Sequence, residues 1–288
     1  MIILVGLAVL LYPVVATVVN NQAQQRVAQF YQSQLENVPE QELNEAVERA
    51  REYNRENQDG PVLDPWLEQM SEDNLEYQRY FDQLAGMPAM SNVFIPAIDV
   101  RLPVYHGTDE KTLQNGLGHL FGSSLPVGGA STHTVITGHT GLSTATLFDD
   151  LNKVEVGDFV YLSTFGERMK YEVRDIEVVL PNETESLQVQ PDRDLLTLIT
   201  CTPYGINTHR LLVHAERVPM DPEDAENFDR SGSTIQWWMW LLVLLAVLVV
   251  VGLAWWLYRE SRAARSMSGP RPDGADNDQP DDRDGGDV

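Results

Sequence analysis

An uncharged apolar run close to the C-terminus constrains the fold of this chain more than any other feature. Residues 237–257 contain no Asp, Glu, Lys or Arg, and Leu and Val predominate among them. As a helix, a run of this length crosses the ~30 Å hydrocarbon core of a bilayer. Aromatic side chains, which favour the two membrane interfaces, lie at both ends of the run. They are Trp237, Trp238, Trp240, Trp255, Trp256 and Tyr258. The sequence therefore predicts a transmembrane helix at 236–258.

The charges on either side of this run predict its orientation. Arg259, Arg262 and Arg265 follow the run, whereas Asp and Glu predominate in the preceding residues 221–229. Because basic residues are retained on the cytoplasmic side, we expect a cytoplasmic C-terminus and an extracytoplasmic main domain at the cell membrane. Most of residues 259–288 are Gly, Pro, Asp and other polar residues, which cannot form a core, so this tail is predicted to be disordered and acidic.

A second apolar run occupies residues 2–19. Its length is marginal for a membrane span, and Pro13 is expected to interrupt it, so a signal peptide is an alternative. No basic residues precede the run, and it has no clear small-residue cleavage site. We therefore expect residues 1–20 to be an uncleaved anchor, with a signal segment as the alternative.

The formal net charge of −23 argues against nucleic acid as a partner. Phosphate binding needs clustered Lys and Arg, and this chain has 20 of these residues against 43 Asp and Glu. No cluster with the spacing of metal ligands and no glycine-rich phosphate loop is evident. We therefore expect neither a metal nor another cofactor.

Between the two apolar runs, the hydrophobic periodicity changes from helical to strand-like. Two segments between residues 21 and 57, separated near Pro39, have apolar residues at helical spacing. From about residue 92, β-branched runs alternate with Gly and Pro. These runs lie at 93–98, 134–137, 159–163, 171–179, 195–200 and 211–218. The pattern predicts a helical region at 21–90 and a mainly β domain, a small barrel or sandwich, at 91–220.

Cys201 is the only cysteine, so no intramolecular disulfide can form. It ends an apolar strand-like run and precedes a turn that contains Pro203, a position at which we expect the thiol to be accessible. The next predicted strand opens at Arg210. If the two strands pair, the guanidinium lies near the thiol, favours the thiolate and can hold an oxyanion. A buried structural cysteine is the alternative.

His139 follows another strand-like run, in a turn rich in glycine. Imidazole transfers protons at neutral pH, and cysteine acyl transfer needs both a thiolate and an acid for the leaving amine. Cys201 and His139 supply both groups if the fold brings them together, which spacing alone does not establish. His133 and His209 are interpreted as structural, and the remaining three histidines have no assigned partner.

Two segments resemble the signature motifs of sortases. TLITCTPYGINTHR at 197–210 is similar to the TLxTC motif with its downstream arginine, and VITGHTGL at 135–142 is similar to the histidine segment. The longer blocks SLPVGGASTHTVITGHTGL at 124–142 and CTPYGINTHRLLVHAERV at 201–218 resemble class C sortases, the pilin polymerases of Gram-positive cell envelopes. The resemblance covers roughly residues 63–218.

This resemblance implies a mainly β fold, an eight-stranded sortase β-barrel that follows N-terminal helices and a lid loop and is flanked by transmembrane helices. It also implies that Cys201 attacks an LPxTG-like sorting signal to form a thioester, with His139 as acid/base and Arg210 as oxyanion stabiliser. A lysine amine of a pilin subunit then resolves the thioester. The implied partners are pilin subunits and other surface proteins that carry such sorting signals.

The motif LDPWL at 63–67 resembles the Asp-Pro-aromatic lid motif of class C sortases. In this interpretation Asp64 accepts hydrogen bonds from Arg210 and Trp66 shields the thiol, so the loop must open before substrate binds. Alternatively, Asp64 caps a helix that has Pro65 at its first position.

Several functions are compatible with these features. A pilus-assembling transpeptidase is favoured by the lid motif and by the two apolar runs. A housekeeping-type sortase that anchors surface proteins to the cell-wall peptide is a close alternative. A cysteine endopeptidase would use water in place of the amine. In a tethered binding module without activity, Cys201 would be structural.

Overall fold

The computed structural model describes residues 2–57, 74–228, 230, 232–233 and 235–267 of the 288-residue chain. The predicted lid residues Asp64 and Trp66, and most of the predicted tail, lie outside these described residues. The lid and the tail beyond Met267 therefore stay predictions. The prediction of disorder is wrong for residues 259–267, which continue the helix formed by the C-terminal apolar run. The chain divides into two compact units, Met1–Met239 and Trp240–Val288, and each is described by itself.

Five helices lie within the described residues: α1 (Ile2–Leu35), α2 (Glu40–Glu56), α3 (Leu75–Phe81), α4 (Glu110–Asn115) and α5 (Trp237–Met267). Helix α1 joins the N-terminal apolar run and the first amphipathic segment. Pro13 lies inside it, so the prediction that this proline interrupts the run is wrong. A proline removes one backbone hydrogen bond, and long apolar helices tolerate that loss. The break predicted near Pro39 is confirmed, since Pro39 caps α2.

One face of α1 is buried. Its buried residues recur three and four positions apart, namely Val14, Thr17, Asn21, Gln24, Ala28, Tyr31 and Leu35. This spacing places them along one side of the helix. The Tyr31 hydroxyl accepts a hydrogen bond from the Phe165 N–H (2.7 Å) and donates one to the Met90 carbonyl (3.3 Å). The C-terminal half of α1 is thereby fixed to the β domain.

Eight strands form a closed barrel in the order β1-β2-β3-β4-β7-β8-β6-β5. They are β1 (Ser91–Ile95), β2 (Val100–His106), β3 (Leu117–His119), β4 (Thr132–Thr137), β5 (Phe159–Thr164), β6 (Glu167–Val179), β7 (Asp194–Thr202) and β8 (His209–Val218). The β2–β3 and β4–β7 pairs are parallel, and the other pairs are antiparallel. The predicted eight-stranded barrel is confirmed.

The strand predictions from the sequence cover six of these eight strands. Strands β2 and β3 were missed, because β2 contains Pro103 and β3 has only three residues. The strand predicted at 93–98 is too long, since β1 ends at Ile95 and a 3-10 helix with Pro96 at its start follows. Proline fixes its own φ angle and lacks an N–H group, so it cannot continue the ladder there.

Side chains of β7 alternate between the two faces of the barrel wall, as the twofold period of a strand requires. Leu196 and Leu198 belong to the main hydrophobic core. Ile199 belongs to a separate cluster with Leu187, which lies in the β6–β7 connection. By the same alternation, Cys201 points to the face of Ile199 and away from the main core. The sheet therefore presents the thiol on the outer wall.

Two of the described helices are long and apolar enough to cross a membrane, by length and composition: Val5–Leu35 and Trp237–Glu260. The first belongs to α1 and the second to α5. Both predicted apolar runs are therefore helical. Their orientation in a membrane stays a prediction.

After β8 the chain is held against the outside of the barrel. Asp224 accepts hydrogen bonds from the Lys170 ammonium (2.8 Å) and the Tyr161 hydroxyl (2.6 Å). Phe228 packs with Phe94 and Tyr161 in a small buried cluster. These contacts fix the connection that leads from the barrel towards α5.

Candidate active site

Cys201 and Arg210 are directly opposite each other in the antiparallel β7–β8 pair. The Arg210 guanidinium donates a hydrogen bond from Nη1 to the Cys201 sulfur over 3.5 Å. Nη1 also lies 3.4 Å from the Asn207 carbonyl and 3.3 Å from the His209 carbonyl. Both residues are buried, Cys201 with 8% and Arg210 with 7% of its surface exposed, so the prediction of an accessible thiol at this strand end is wrong for the described structure. A positive charge so close to a sulfur favours the thiolate over the thiol.

The parallel β4–β7 pair brings the His139 segment alongside Cys201. Thr137 is opposite Ile199 in the ladder. One residue further on, Gly138 N–H donates to the Ile199 carbonyl (3.0 Å), and its carbonyl accepts from the Thr200 hydroxyl (2.7 Å). His139 and Cys201 are the next residues of the two chains, and neighbouring strands lie about 5 Å apart. The register therefore places the backbone of His139 beside that of Cys201.

Gly138 is required where β4 gives way to the histidine turn. A Cβ atom at this position would lie 2.6 Å from Leu117 Cδ2 and 2.8 Å from a ring carbon of Phe148. Real Cβ atoms do not approach other atoms so closely, so any side chain here would displace the packing behind His139.

The His139 side chain is mostly buried, with 14% of its surface exposed. Its Nε2 lies 3.8 Å from a carboxylate oxygen of Glu110, in the first turn of α4, and Glu110 is itself exposed. Burial lowers the pKa of His139 below its ordinary value, and the Glu110 carboxylate opposes this shift. The neutral imidazole is therefore favoured at neutral pH, and a neutral imidazole can accept a proton.

Asp149 holds the turn after His139. Its Oδ1 accepts hydrogen bonds from the Gly141 N–H (2.7 Å) and the Thr140 hydroxyl (3.2 Å). The Phe148 N–H donates to the His139 carbonyl (3.1 Å). Burial raises the pKa of Asp149 to about 6, against the opposing effect of these hydrogen bonds. No sequence pattern indicates a role for Asp149, and its only signal is its place ten residues after His139.

A chain of hydrogen bonds on the outer wall joins four strands. His133 Nε2 lies 2.6 Å from the Thr197 hydroxyl, which lies 2.7 Å from His214 Nδ1, and His214 Nε2 lies 3.0 Å from Glu177. His133 Nδ1 lies 3.0 Å from the Gln188 carbonyl, so Nδ1 carries a proton. Burial lowers the pKa of His133 to about 4, so its Nε2 is an acceptor for the Thr197 hydroxyl. The two ring nitrogens of His214 lie within hydrogen-bond distance of the Thr197 oxygen and of the Glu177 carboxylate.

This chain of hydrogen bonds gives a partner to His214, for which the sequence suggested none, and it agrees with the structural interpretation of His133. The other two histidines without a predicted partner are also hydrogen-bonded. His119 contacts Tyr80 and the Ser124 carbonyl, and His106 contacts the Gln83 carbonyl. His139 thus differs from these residues in the position of its backbone, which the β4–β7 register places beside that of Cys201.

Two cavities in the described part of the chain are lined by residues other than Cys201. A cavity of about 530 Å³ lies between α1 and α4, and one of about 180 Å³ lies over the hydrogen-bond chain that contains Thr197. Cys201, His139 and Arg210 do not line either cavity. Among the described residues, no group of three or more His, Cys, Asp or Glu side chains is placed to hold a metal ion. The site is therefore defined by the geometry of its side chains.

Comparison of the sequence with family models gives a match to the sortase domain over residues 93–218. A sequence relative, the sortase A of Streptococcus agalactiae serotype III (strain NEM316), is 30% identical over 134 residues, which are 46% of this chain and 53% of the relative. The chain thus spans about half the length of this curated relative.

The comparison with solved structures covers a larger share of the matched proteins. Sortase C-1 from Actinomyces oris is 57% identical, with a TM-score of 0.60, over 62% of this chain and 99% of that chain. A lid mutant of sortase A from Corynebacterium diphtheriae is 48% identical, with a TM-score of 0.59, over 64% and 97%. Streptococcus pneumoniae sortase C, whose structure was described with respect to catalysis and pilin substrate specificity, is 40% identical, with a TM-score of 0.62, over 68% and 97%.

Proposed function

We propose that this chain, which belongs to the sortase family and has class C sortases as close structural neighbours, is a transpeptidase that joins pilin subunits to one another. Membership of the family rests on 57% identity across 99% of a solved sortase C-1 chain. The specific reaction is supported by the Streptococcus pneumoniae sortase C, which is 40% identical and whose structure was described with respect to pilin substrate specificity. The observation that carries the catalytic proposal is the 3.5 Å contact between the Arg210 guanidinium and the Cys201 sulfur.

In the proposed first half-reaction, the Cys201 sulfur attacks the threonine carbonyl carbon of an LPxTG-like sorting signal. His139, favoured as a neutral imidazole by its burial, accepts the thiol proton. Arg210 donates to the carbonyl oxygen as it becomes negatively charged. The C–N bond then breaks, His139 gives its proton to the leaving glycine amine, and a thioester on Cys201 remains.

In the second half-reaction, the ε-amine of a pilin lysine attacks the thioester carbon. His139 accepts the proton released from this amine, and Arg210 again donates to the oxyanion. The C–S bond breaks, the sulfur takes back a proton, and an amide bond joins the two subunits. Both half-reactions use only side chains of the protein and groups of the substrates, so neither step needs a cofactor.

We propose that a lid formed by residues 63–67 covers the resting site, with Asp64 facing Arg210 and Trp66 over the thiol. The low exposure of Cys201 supports a covered site. A solved neighbour from Corynebacterium diphtheriae is itself a lid mutant, so a related enzyme has a lid. We also propose that α1 and α5 anchor the protein in the cell membrane with the barrel outside and the C-terminus in the cytoplasm.

The test is a denaturing-gel assay of the full chain in vesicles, mixed with candidate pilins from the same cell envelope. We expect a ladder of covalent pilin multimers with the wild-type chain and none with Cys201→Ala. A parallel reaction with Asp64→Ala and Trp66→Ala combined provides an enzyme with the proposed lid opened.

Other products would change the proposal. Pilin attached to an added cell-wall peptide amine, without multimers, would indicate a housekeeping-type anchoring sortase. A cleaved sorting signal without any amine adduct would indicate an endopeptidase. A ladder that persists in Cys201→Ala would remove Cys201 from the mechanism.

A further inference from the structure

We propose that the rim of the barrel formed by residues 141–146 rests on the lipid headgroups of the membrane, so that Cys201 works within about 20 Å of them. This surface is called the membrane rim below. The inference rests on the membrane anchoring of α1 proposed above.

The polar residues that follow the apolar run set the height of α1 in the bilayer. Residues 2–19 are apolar except for Thr17, and Asn20 and Asn21 are the first polar pair after them. The same continuous helix then carries amide and charged side chains, among them Gln24, Gln25 and Arg26. Because such groups are costly inside hydrocarbon, the last turn of the apolar run lies at the edge of the hydrocarbon core. Thr17 and the two asparagines therefore mark the boundary with the headgroups.

The membrane rim is hydrogen-bonded to α1 at this level. The Thr17 hydroxyl donates to the Ser143 carbonyl (3.4 Å), and the Asn20 amide donates to the Thr144 carbonyl (2.8 Å). Asn21 makes a reciprocal pair with Thr146: its amide donates to the threonine hydroxyl (2.8 Å), and its carbonyl accepts from the threonine N–H (3.2 Å). These four bonds place the rim beside the boundary residues of α1.

The connection after the barrel reaches the same side of the molecule. The Ser233 N–H donates to the Asp99 carbonyl (2.9 Å), and the Gln25 amide donates to the Gly232 carbonyl. Gln25 lies one helical turn above Asn21. Ser233 precedes Trp237, where the second apolar segment begins, by only four residues. Both segments that lead to apolar helices thus meet the barrel within one or two helical turns of the membrane rim.

The charge pattern of the chain fits a lipid-facing rim. The net charge is −23, yet residues 112–148 contain no Asp, Glu, Lys or Arg. This uncharged stretch includes the whole membrane rim. Carboxylates at this place would lose hydration and would be repelled by anionic headgroups. Ser143 is exposed, so its side chain is free to face the lipid.

The distance to the thiol follows from chain geometry. Ser143 is four residues from His139, which spans at most about 15 Å, and the strand register adds about 5 Å to reach Cys201. The reacting carbon of the substrate must therefore come within about 20 Å of the headgroups.

Depth-dependent quenching tests this orientation in the full chain. Because Cys201 is the only cysteine, Cys201→Ala yields a cysteine-free chain into which single cysteines can be placed for a fluorophore. Ser143→Cys reports on the membrane rim, and Val9→Cys reports on α1. The matched control is Ala130→Cys, an exposed position at the other end of β4, about 20 Å away. The vesicles contain phosphatidylcholine and phosphatidylglycerol with a nitroxide either on the headgroup or at mid-chain.

We expect headgroup nitroxide to quench the label at Ser143 several-fold more than the label at Ala130, and mid-chain nitroxide to quench the label at Val9. Equal quenching at Ser143 and Ala130, with Val9 quenched, would overturn the membrane rim and leave the anchoring intact. An unquenched Val9 would overturn both. Thr144→Cys serves as a second rim position if Ser143→Cys lowers the thermal unfolding temperature. The pilin ladder of the wild-type chain reports on the transpeptidase independently.

Discussion

At the scale of single residues, the contact between Arg210 and Cys201 makes the guanidinium the most direct candidate for oxyanion stabilisation. We predict that Arg210→Ala lowers the rate of thioester formation by about 10²–10³, the usual effect of removing one oxyanion donor. Arg210→Lys keeps the charge but loses the planar donor group, so its rate should be intermediate. Intact mass spectrometry with a sorting-signal peptide measures thioester formation. Equal rates in wild type and Arg210→Ala would remove Arg210 from the mechanism.

Asp149 is a residue whose protonation affects stability. Its pKa is raised to about 6, so the folded state binds a proton more tightly than the unfolded state. Its contribution is therefore most favourable below the ordinary carboxyl pKa and is lost as the pH rises through about 6. We predict that Asp149→Asn, which cannot ionise, flattens the fall in unfolding temperature between pH 4 and about pH 6.

The control for this prediction is Asp158→Asn, which changes a carboxylate in a different turn. Asp158 accepts a hydrogen bond from the Glu155 N–H over 2.8 Å. Thermal unfolding of each variant across the pH range is the measurement. A pH profile of Asp149→Asn that matches that of wild type would contradict the proposed role of Asp149 in the turn after His139.

At the scale of secondary structure elements, the hydrogen-bond chain through Thr197 fastens four strands on the outer wall. We predict that Thr197→Val lowers the free energy of unfolding by about 1–3 kcal/mol, because the buried imidazole of His133 and the partly buried imidazole of His214 lose their partner. Thr184→Val is the matched control, since its side chain makes no capping hydrogen bond where it precedes a 3-10 helix. Denaturant titration compares the two variants. An equal effect of both substitutions would show that the Thr197 hydroxyl contributes nothing specific.

The proposed lid is a second element with a measurable effect. We predict that Asp64→Ala and Trp66→Ala each speed the reaction of Cys201 with a thiol-directed reagent, because each removes part of the cover. The neighbouring Glu68→Ala, outside the Asp-Pro-aromatic motif, is the control. Labelling followed by intact mass gives the rates. Rates that stay at the wild-type value in both lid variants would contradict a lid at this motif.

The elements also show how far the sequence predicts the fold. The positions of six strands could be predicted from β-branched runs, because each run is a local signal in the sequence. Strands β2 and β3 lack such a run, since Pro103 interrupts one and the other is very short. The closure of the barrel depends on parallel pairs such as β4–β7, whose partners lie about 60 residues apart. Without the family resemblance, residue patterns left barrel and sandwich equally open.

The arrangement of the candidate site could likewise be predicted only in part from the sequence. The neighbourhood of Cys201 and Arg210 follows from two strands that are consecutive in sequence, so local reasoning anticipated it. The position of His139 depends on the parallel β4–β7 register, which spacing cannot give. Asp149 and His214 were missed, because their partners are set by turns and by cross-strand contacts. Their roles stay predictions until the variants above are measured.

At the scale of the whole molecule, α1 is continuous from its apolar run to the barrel, without a flexible linker between them. In the proposed membrane orientation, a catalytic domain attached in this way would be confined to a thin layer above the bilayer and would not sample a large volume. Its encounters with a membrane-embedded partner would then occur by lateral diffusion in two dimensions. The number of partner molecules per unit area, and not their bulk concentration, would set the rate at which the enzyme meets its substrates.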